Sequence, residues 1–235
     1  WNWPQMVRLQ DRHIWARSAS WYNLGGRELV GQTLGVVGLG HIGRRVAQLG
    51  HAFGMQVLGM RRSTHAPVSG EGMAAGEDDG ESSGHDHGTQ EEVEGVDAFY
   101  TPDQLHAMLG LCDYVVLSVP LTRETEKMIG EAELRAMRPN AYLVNIARGR
   151  VVDEQALIRA LKEAWIAGAG LDVTEEEPLP ADSPLYSMPN VILTPHISGA
   201  SVYYDARLTA LFAENLRCYR AGKPLLNLYD AARGY

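Results

Sequence analysis

The chain alternates between short, continuous apolar runs and longer segments whose apolar residues recur at helical spacing. The runs predict strands over 33–40, 55–60, 113–119, 141–147, 167–173 and 191–195, and the periodic segments predict helices over 41–54, 101–109, 130–138 and 153–165. Strands this apolar have to be covered on both faces, as in a parallel sheet between layers of helices. The pattern therefore predicts an α/β fold, a doubly wound parallel sheet with flanking helices over residues 31–200.

The two ends of the chain do not continue this alternation. Residues 1–30 predict a helix and an arm, and they contain four tryptophans, Trp1, Trp3, Trp15 and Trp21. Aromatic side chains at this density are typical of a contact surface, either toward a further domain or toward a second subunit. Residues 201–235 predict one long amphipathic helix and a tail, and Gly222 and Pro224 stop the helix.

An acidic segment, residues 64–97, interrupts the alternation. It is rich in glycine, serine and acids and has no period, so we predict a flexible surface insertion. Ten acidic residues and no lysine or arginine fall between Ser63 and Tyr100. Since the whole chain has a net charge of −8, the residues outside this segment have a net charge close to +2. The His-Asp-His sequence at 85–87 allows a metal-binding interpretation, but two imidazoles without a third fixed ligand favour solvated side chains, and no metal site is predicted.

Composition excludes several classes of function. The folded part has no basic stripe, so we expect no nucleic-acid partner. The chain contains no apolar run of about 18 residues and no basic-then-apolar leader, so we expect a cytoplasmic protein without a membrane partner. Cys112 and Cys218 lie in core-like segments and are predicted to be buried free thiols, with a disulfide as the less favoured alternative.

A glycine pattern follows the first predicted strand and opens the next helix. Gly38, Gly40 and Gly43 stand in the spacing G-x-G-x-x-G, and a second predicted strand comes after the helix. In this context the first glycine permits a tight turn, the second lets a pyrophosphate approach the backbone, and the third lets helix and strand pack closely. The pattern favours a Rossmann-type dinucleotide site over the alternative, a structural turn without a ligand.

The tip of the second predicted strand carries arginine where such folds place an acid. An acidic side chain there binds the adenosine ribose, whereas Arg61, Arg62 and Ser63 occupy the position in this chain. A guanidinium matches phosphate oxygens and repels no 2′-phosphate, so NADP is favoured over NAD as the cofactor. The alternatives are NAD, or arginines that only solvate the loop.

Polar residues follow the remaining strands at the edge where ligands bind in such sheets. Arg148 follows 141–147, Glu177 follows the strand that ends near Asp172, and His196 follows 191–195. A histidine that exchanges a proton, a carboxylate that orients it and favours its charged form, and an arginine that binds a carboxylate fit hydride transfer on a 2-oxo or 2-hydroxy acid. Alone, each residue also has a purely structural interpretation.

Four stretches carry a resemblance to a known family. They are VGLGHIG, VPLTRET, LVNIARGRVVDEQAL and GAGLDVTEEEPLPADSPLYSMPNVILTPHISG, and they resemble the D-isomer-specific 2-hydroxyacid dehydrogenases, most closely the glyoxylate/hydroxypyruvate reductase branch. The resemblance implies an NAD(P)-dependent oxidoreductase that acts on a small 2-oxo or 2-hydroxy acid and dimerises through its cofactor domain. It also implies that Arg148, Glu177 and His196 are catalytic.

The same resemblance implies a set of cofactor contacts. His41 and Ile42 touch the pyrophosphate, Val119 and Pro120 line the adenosine side, and Ile146 and Ala147 pass near the nicotinamide ribose. Asp172 contacts the carboxamide, and Gly199 completes the cofactor-binding set.

Two departures from the family pattern shape the expectations. Members begin with a substrate-binding domain that we expect this chain to lack, so it should bind cofactor and turn over poorly alone. The acidic insertion begins just after the ribose-binding turn. The competing hypothesis is a non-catalytic NAD(P)-binding module for sensing or dimerisation, against which an intact arginine, glutamate and histidine set argues.

Overall fold

Seven parallel strands form one sheet in the computed structural model, which describes residues 3–15, 25–62 and 93–229. The strands are β1 (Thr33–Val37), β2 (Gln56–Met60), β3 (Ala98–Tyr100), β4 (Tyr114–Leu117), β5 (Tyr142–Asn145), β6 (Gly168–Leu171) and β7 (Val191–Leu193). Their order across the sheet is β3-β2-β1-β4-β5-β6-β7, and every pairing is parallel. The predicted α/β doubly wound fold is confirmed.

Six α-helices accompany the strands in the described part of the chain. They are α1 (Trp3–Asp11), α2 (His41–Ala52), α3 (Leu105–Leu109), α4 (Glu131–Ala136), α5 (Glu154–Lys162) and α6 (Tyr204–Arg220). Their starts follow the sequence: Asp153 caps α5 by accepting a hydrogen bond from the backbone N–H of Ala156, and Thr101 and Pro102 open the turn that leads into α3. The predicted helices are present with somewhat shorter bounds.

The strand order places a crevice at the carboxyl ends of the central strands. β1 lies between β2 and β4, so the chain first builds the sheet in one direction and then crosses back to build it in the other. Val37, Met60 and Leu117 stand opposite one another at the ends of these three strands. Ligands of open α/β sheets bind outside the carboxyl ends of the strands at such a reversal.

The core lies on both faces of the sheet. Val36 belongs to one apolar cluster, with Ala47 of α2, and Val37 belongs to the other, with Leu143 and Leu157. Neighbouring residues of a strand point to opposite faces, so burial of both explains why the strands are apolar throughout.

The acidic segment ends earlier than its predicted bound at residue 97. Residues 63–92 lie outside the described residues, but Val93 is buried and Val96 packs against the core. The carboxylate of Asp97 accepts a hydrogen bond of 2.6 Å from the backbone N–H of Val57. The short strand β3, which the pattern did not predict, follows directly. Residues 93–97 are therefore part of the folded domain.

The ends of the described chain expose apolar side chains. Trp15 is 87% exposed after α1, whereas Trp1 and Trp21 lie outside the described residues. None of the residues of α6 is buried, and Phe212 on this helix is 70% exposed. The apolar side of α6 is therefore not covered by the described part of the chain. Within that part, no helix has the length and apolar character needed to span a bilayer.

Both cysteines are free thiols, but only one of them is buried as predicted. Burial, followed by the negative charge of Asp113, raises the pKa of the Cys112 thiol to about 12, so it is unreactive at neutral pH. Cys218 on α6 is partly exposed because that helix does not pack against the core.

Candidate active site

The turn between β1 and α2 has the geometry expected of a phosphate-binding turn. Gly38 adopts φ 97°, a left-handed conformation that favours glycine. A Cβ at Gly43 would overlap the carbonyl oxygen of Gly38, so helix and strand approach as closely as the pattern predicted. A Cβ at Gly40 would meet nothing within 4 Å, which leaves open space in front of this backbone. Ser118, at the end of β4, braces the turn by donating a 2.7 Å hydrogen bond to the Gly38 carbonyl.

The start of α2 is suited to an anion. Gly40 is its N-cap and offers no side-chain hydrogen bond, and the first turn contains no acidic residue. The first backbone N–H groups of a helix have no acceptor within it, and they carry partial positive charge. His41 and Ile42 are exposed in this first turn, and Arg44 bonds the Leu39 carbonyl at 3.1 Å. The chemistry of this turn fits a pyrophosphate.

The two arginines at the end of β2 differ in their surroundings. Arg61 is half-buried, and its guanidinium carbon lies 4.3 Å from the ring centre of Phe99 on β3. Arg62 is exposed, and its positive charge contributes, after a hydrogen bond from Thr122, to lowering the pKa of Glu124. Arg62 therefore presents its charge beside the crevice, while Arg61 is held against the sheet by a cation–π contact. Ser63 lies outside the described residues.

The histidine and the glutamate predicted as a catalytic pair are in contact. His196 follows β7, Glu177 follows β6, and the imidazole Nδ1 of His196 lies 2.7 Å from Glu177 Oε2. A carboxylate only accepts hydrogen bonds, so Nδ1 donates and Nε2 is left for proton exchange. Glu177 Oε1 accepts a second bond from the Thr174 backbone N–H. The bond from His196, followed by that from Thr174 and the charge of Arg148, lowers the pKa of Glu177 and keeps it ionised.

Arg148 follows β5 on a turn that a buried asparagine holds. The side chain of Asn145, 1% exposed, accepts a 3.0 Å bond from the Ala147 backbone N–H and donates a 3.0 Å bond to the Arg148 carbonyl. A Cβ at Gly149 would overlap the carbonyl oxygen of Thr174. The loop that carries Arg148 therefore meets, backbone to backbone, the loop that carries Glu177.

Six of the predicted site residues line one cavity of about 560 Å³. Its lining includes Ile42 of α2 together with Ile146, Arg148, Asp172, His196 and Gly199. A second cavity, about 650 Å³, lies on the side of Glu177 and is walled by apolar residues that include Leu179, Tyr186 and Leu193. His196 and Asp172 line both.

Other predicted residues lie nearby without lining this cavity. Val119 and Pro120 are half-buried after β4, beside the glycine turn. Ala147 is buried, with its N–H bonded to Asn145. Its predicted proximity to a nicotinamide ribose would therefore involve backbone atoms.

Sequence reasoning did not identify three residues that shape the site. Ser118 holds the glycine turn, Asn145 holds the turn that carries Arg148, and Gly149 allows two loops to touch. The first two had a signal, because each is a polar residue within an otherwise apolar run. The third had none, since its constraint comes from a backbone distant in sequence. Residues 85–87 lie outside the described ranges, and within those ranges no three histidines, cysteines or acids are grouped as metal ligands.

Comparisons with known proteins agree on one family. A sequence model of the D-isomer specific 2-hydroxyacid dehydrogenase, NAD binding domain, matches residues 4–78 and 79–198. Glyoxylate reductase of Thermococcus gammatolerans is 41% identical over 225 residues, which make up 92% of this chain and 59% of that protein. The chain thus spans about three-fifths of the length of this curated relative.

Solved structures give the same result. A D-isomer specific 2-hydroxyacid dehydrogenase from Xanthobacter autotrophicus Py2, in complex with NADPH and MES, is 33% identical and superposes with a TM-score of 0.76 over 99% of this chain and 82% of that chain. An NADPH-dependent glyoxylate/hydroxypyruvate reductase from Sinorhizobium meliloti, in complex with NADP and sulfate, is 28% identical with a TM-score of 0.75, over 98% of this chain and 64% of that chain.

Proposed function

Because the chain belongs to the D-isomer-specific 2-hydroxyacid dehydrogenase family, we propose that it supplies the cofactor-binding part and the catalytic residues of an NADP-preferring reductase of small 2-oxo acids. The substrate class is that of glyoxylate and hydroxypyruvate. The observation that carries the proposal is the 2.7 Å contact between His196 and Glu177, because His196 also lines a cavity with Arg148 and with Ile42 of the first turn of α2.

The catalytic residues divide the work of the reaction. The bound nicotinamide supplies the hydride, and the protein has to hold the substrate and supply a proton. His196 delivers that proton from Nε2 to the developing alkoxide, while Glu177 fixes the ring and compensates its positive charge. Arg148 binds the substrate carboxylate and polarises the carbonyl group.

The remaining site residues hold the cofactor. In the proposal Gly38, Gly40 and Gly43 with the N–H groups of His41 and Ile42 bind the pyrophosphate. Val119 and Pro120 cover the adenosine side, and the 2′-phosphate lies by Arg61, Arg62 and Ser63. The nicotinamide end is bound by Ile146, Ala147, Asp172 and Gly199.

The test follows NADPH binding by the purified chain and NADPH oxidation by the full-length protein. We expect the chain to bind NADPH, and the full-length protein to oxidise it with glyoxylate or hydroxypyruvate. His196→Ala should abolish the oxidation while NADPH still binds. Asp153→Ala, which removes a helix cap that lines neither cavity, is the control and should retain both. Absence of NADPH binding contradicts the whole proposal. NADPH binding without NADPH oxidation by the full-length protein, with any small 2-oxo acid, contradicts the reductase and favours a sensing or dimerisation module.

The proposal includes a homodimer. Its support is the exposed apolar surface around α1, where Val7, Ile14 and Trp15 are all exposed within the described residues. Contact surfaces between subunits are enriched in aromatic side chains such as that of Trp15.

A further inference from the structure

The turn that carries His196 is built around the side chain of Asp172. Asp172, at the end of β6, is 5% exposed. Its Oδ1 accepts hydrogen bonds from the Thr194 hydroxyl at 2.6 Å and from the N–H groups of Ile197 at 3.0 Å and Ser198 at 3.2 Å, and its Oδ2 accepts from Ser198 at 3.1 Å. Its backbone carbonyl accepts the His196 N–H at 2.8 Å. One residue thus contacts the turn on both sides of the histidine.

Within the described residues, the other hydrogen bonds from this turn to the rest of the chain are the His196–Glu177 bond and the bond from the Thr194 N–H to the Leu171 carbonyl. His196 adopts φ 52°, a left-handed conformation that is unfavourable for a residue with a Cβ. Residues 194–200 are all exposed, and β7 before them is the last strand of the sheet. A strained, exposed turn persists only when other contacts determine it. Here most of those contacts are the bonds to Asp172, which flank His196 on both sides.

We propose that Asp172 is a positioning residue for His196. Its Oδ1 accepts three hydrogen bonds from the turn and sets the backbone from which the imidazole reaches Glu177. Its Oδ2 shares the bond from the Ser198 N–H. The inference rests on the proposed function for the catalytic role of His196, but not for the geometry of the turn.

The charge of Asp172 supports this arrangement. Burial opposes ionisation, but the hydrogen bonds from Ser198, Thr194 and Ile197 outweigh it and lower the pKa of Asp172 to about 2. The side chain is therefore an acceptor on both oxygens throughout the neutral range. An amide could replace Oδ1, but its NH₂ group would then face the N–H of Ser198, a second donor.

Three variants separate positioning from general stability. Asp172→Ala removes every side-chain bond to the turn. Thr194→Val removes only the 2.6 Å bond to Oδ1, keeps the shape, and leaves Oδ2 unchanged. Asp153→Ala is the matched control, because Asp153 also accepts a backbone N–H but at the start of α5.

The experiment measures the tautomer of the His196 ring by long-range ¹H–¹⁵N NMR at alkaline pH, on the chain without cofactor or substrate. His196→Gln identifies the resonance. In the wild type we expect the proton on Nδ1, where Glu177 holds it, and in Asp172→Ala and Thr194→Val we expect it to shift toward Nε2. Asp153→Ala should match the wild type. If Asp172→Ala does not fold, Thr194→Val decides.

An unchanged Nδ1–H tautomer in Thr194→Val, with Asp172→Ala either unchanged or unfolded, overturns the inference. Because no catalysis is measured, this result is independent of the proposed function. Where turnover is present, Thr194→Val should lower kcat several-fold and leave the KM for NADPH unchanged, since small displacements of a catalytic group reduce rate more than binding.

Discussion

Glycine at position 149 is required by a neighbour that is distant in sequence. A Cβ there would overlap the Thr174 carbonyl, and either loop would have to move. We expect Gly149→Ala to lower the free energy of unfolding by about 1–3 kcal/mol and to reduce turnover more than NADPH binding, because Arg148 moves. Gly170→Ala on β6 is the control, since its nearest neighbour would be an ordinary 3.8 Å away. Urea unfolding and steady-state kinetics of both variants check the prediction. Equal losses in Gly149→Ala and Gly170→Ala would contradict it.

The lowered pKa of Asp172 predicts how its contribution to stability depends on pH. A carboxyl group whose pKa falls from 3.8 to about 2 on folding stabilises the protein fully above pH 3.8 and loses this effect as the pH falls toward 2. We expect Asp172→Asn to reduce the free energy of unfolding by about 2 kcal/mol at neutral pH, as for hydrogen bonds to a charged group. Urea unfolding across this range should show wild type and variant converging below pH 3.8. A difference that stays constant would show that the charge has no part in it.

Arg62 should decide between the two nicotinamide cofactors. Its exposed charge lies beside the crevice, where a 2′-phosphate would accept a charge-assisted hydrogen bond. We expect Arg62→Gln to weaken NADPH binding about tenfold, the equivalent of about 1.4 kcal/mol, and to leave NADH binding unchanged. Fluorescence titration with both cofactors measures this. Arg45→Gln is the control, an exposed arginine of α2 bonded to Gln48. Equal losses for NADPH and NADH would refute phosphate recognition by Arg62.

At the scale of single residues, position after a strand was the informative signal. Arg148, Glu177 and His196 were predicted because each follows an apolar run, and the structure brings His196 and Glu177 into contact. The role of Asn145 in the arginine turn is visible only once the turn is folded. The polar residue inside an apolar run is visible in the sequence, but the backbone groups to which it bonds are not.

At the scale of elements, substitutions in the turn between β1 and α2 should distinguish an effect on folding from an effect on cofactor binding. A Cβ at Gly43 overlaps the Gly38 carbonyl, whereas a Cβ at Gly40 meets nothing within 4 Å, and Gly40 has an ordinary φ of −73°. We expect Gly40→Ala to unfold at the same urea concentration as the wild type and to bind NADPH at least tenfold more weakly, because the added methyl group enters the pyrophosphate space. Gly43→Ala should lose stability as well. Unimpaired NADPH binding by Gly40→Ala would contradict the assignment of this turn.

Elements were predictable where burial was complete. β1 and β2 are buried along nearly their whole length, so their apolar runs were clear. β3 is only three residues long and half-buried throughout, and it follows a strongly acidic segment. A short edge strand takes its hydrogen bonds from a neighbour and needs few apolar residues of its own, so neither length nor hydrophobicity revealed it.

At the scale of the whole molecule, sequence pattern identified the sheet but not which surfaces stay uncovered. The apolar spacing of α6 is that of a helix with a buried face, yet none of its residues is buried. Amphipathic spacing indicates that one face of a helix is buried against a partner, but it does not identify that partner. The exposed residues of α1 and α6 are thus two candidate contact surfaces in the described part of the chain.

These two surfaces give opposite predictions for the proposed homodimer. If subunits meet through the arm after α1, Trp15→Ser should shift the protein from dimer to monomer, because a buried tryptophan contributes about 2 kcal/mol or more at an interface. Phe212→Ser, which removes a comparably exposed aromatic side chain from α6, should leave the dimer intact. Sedimentation velocity over a range of concentrations distinguishes the two. Dissociation by Phe212→Ser alone would place the interface on α6, and a wild type that is monomeric at every concentration would contradict the homodimer.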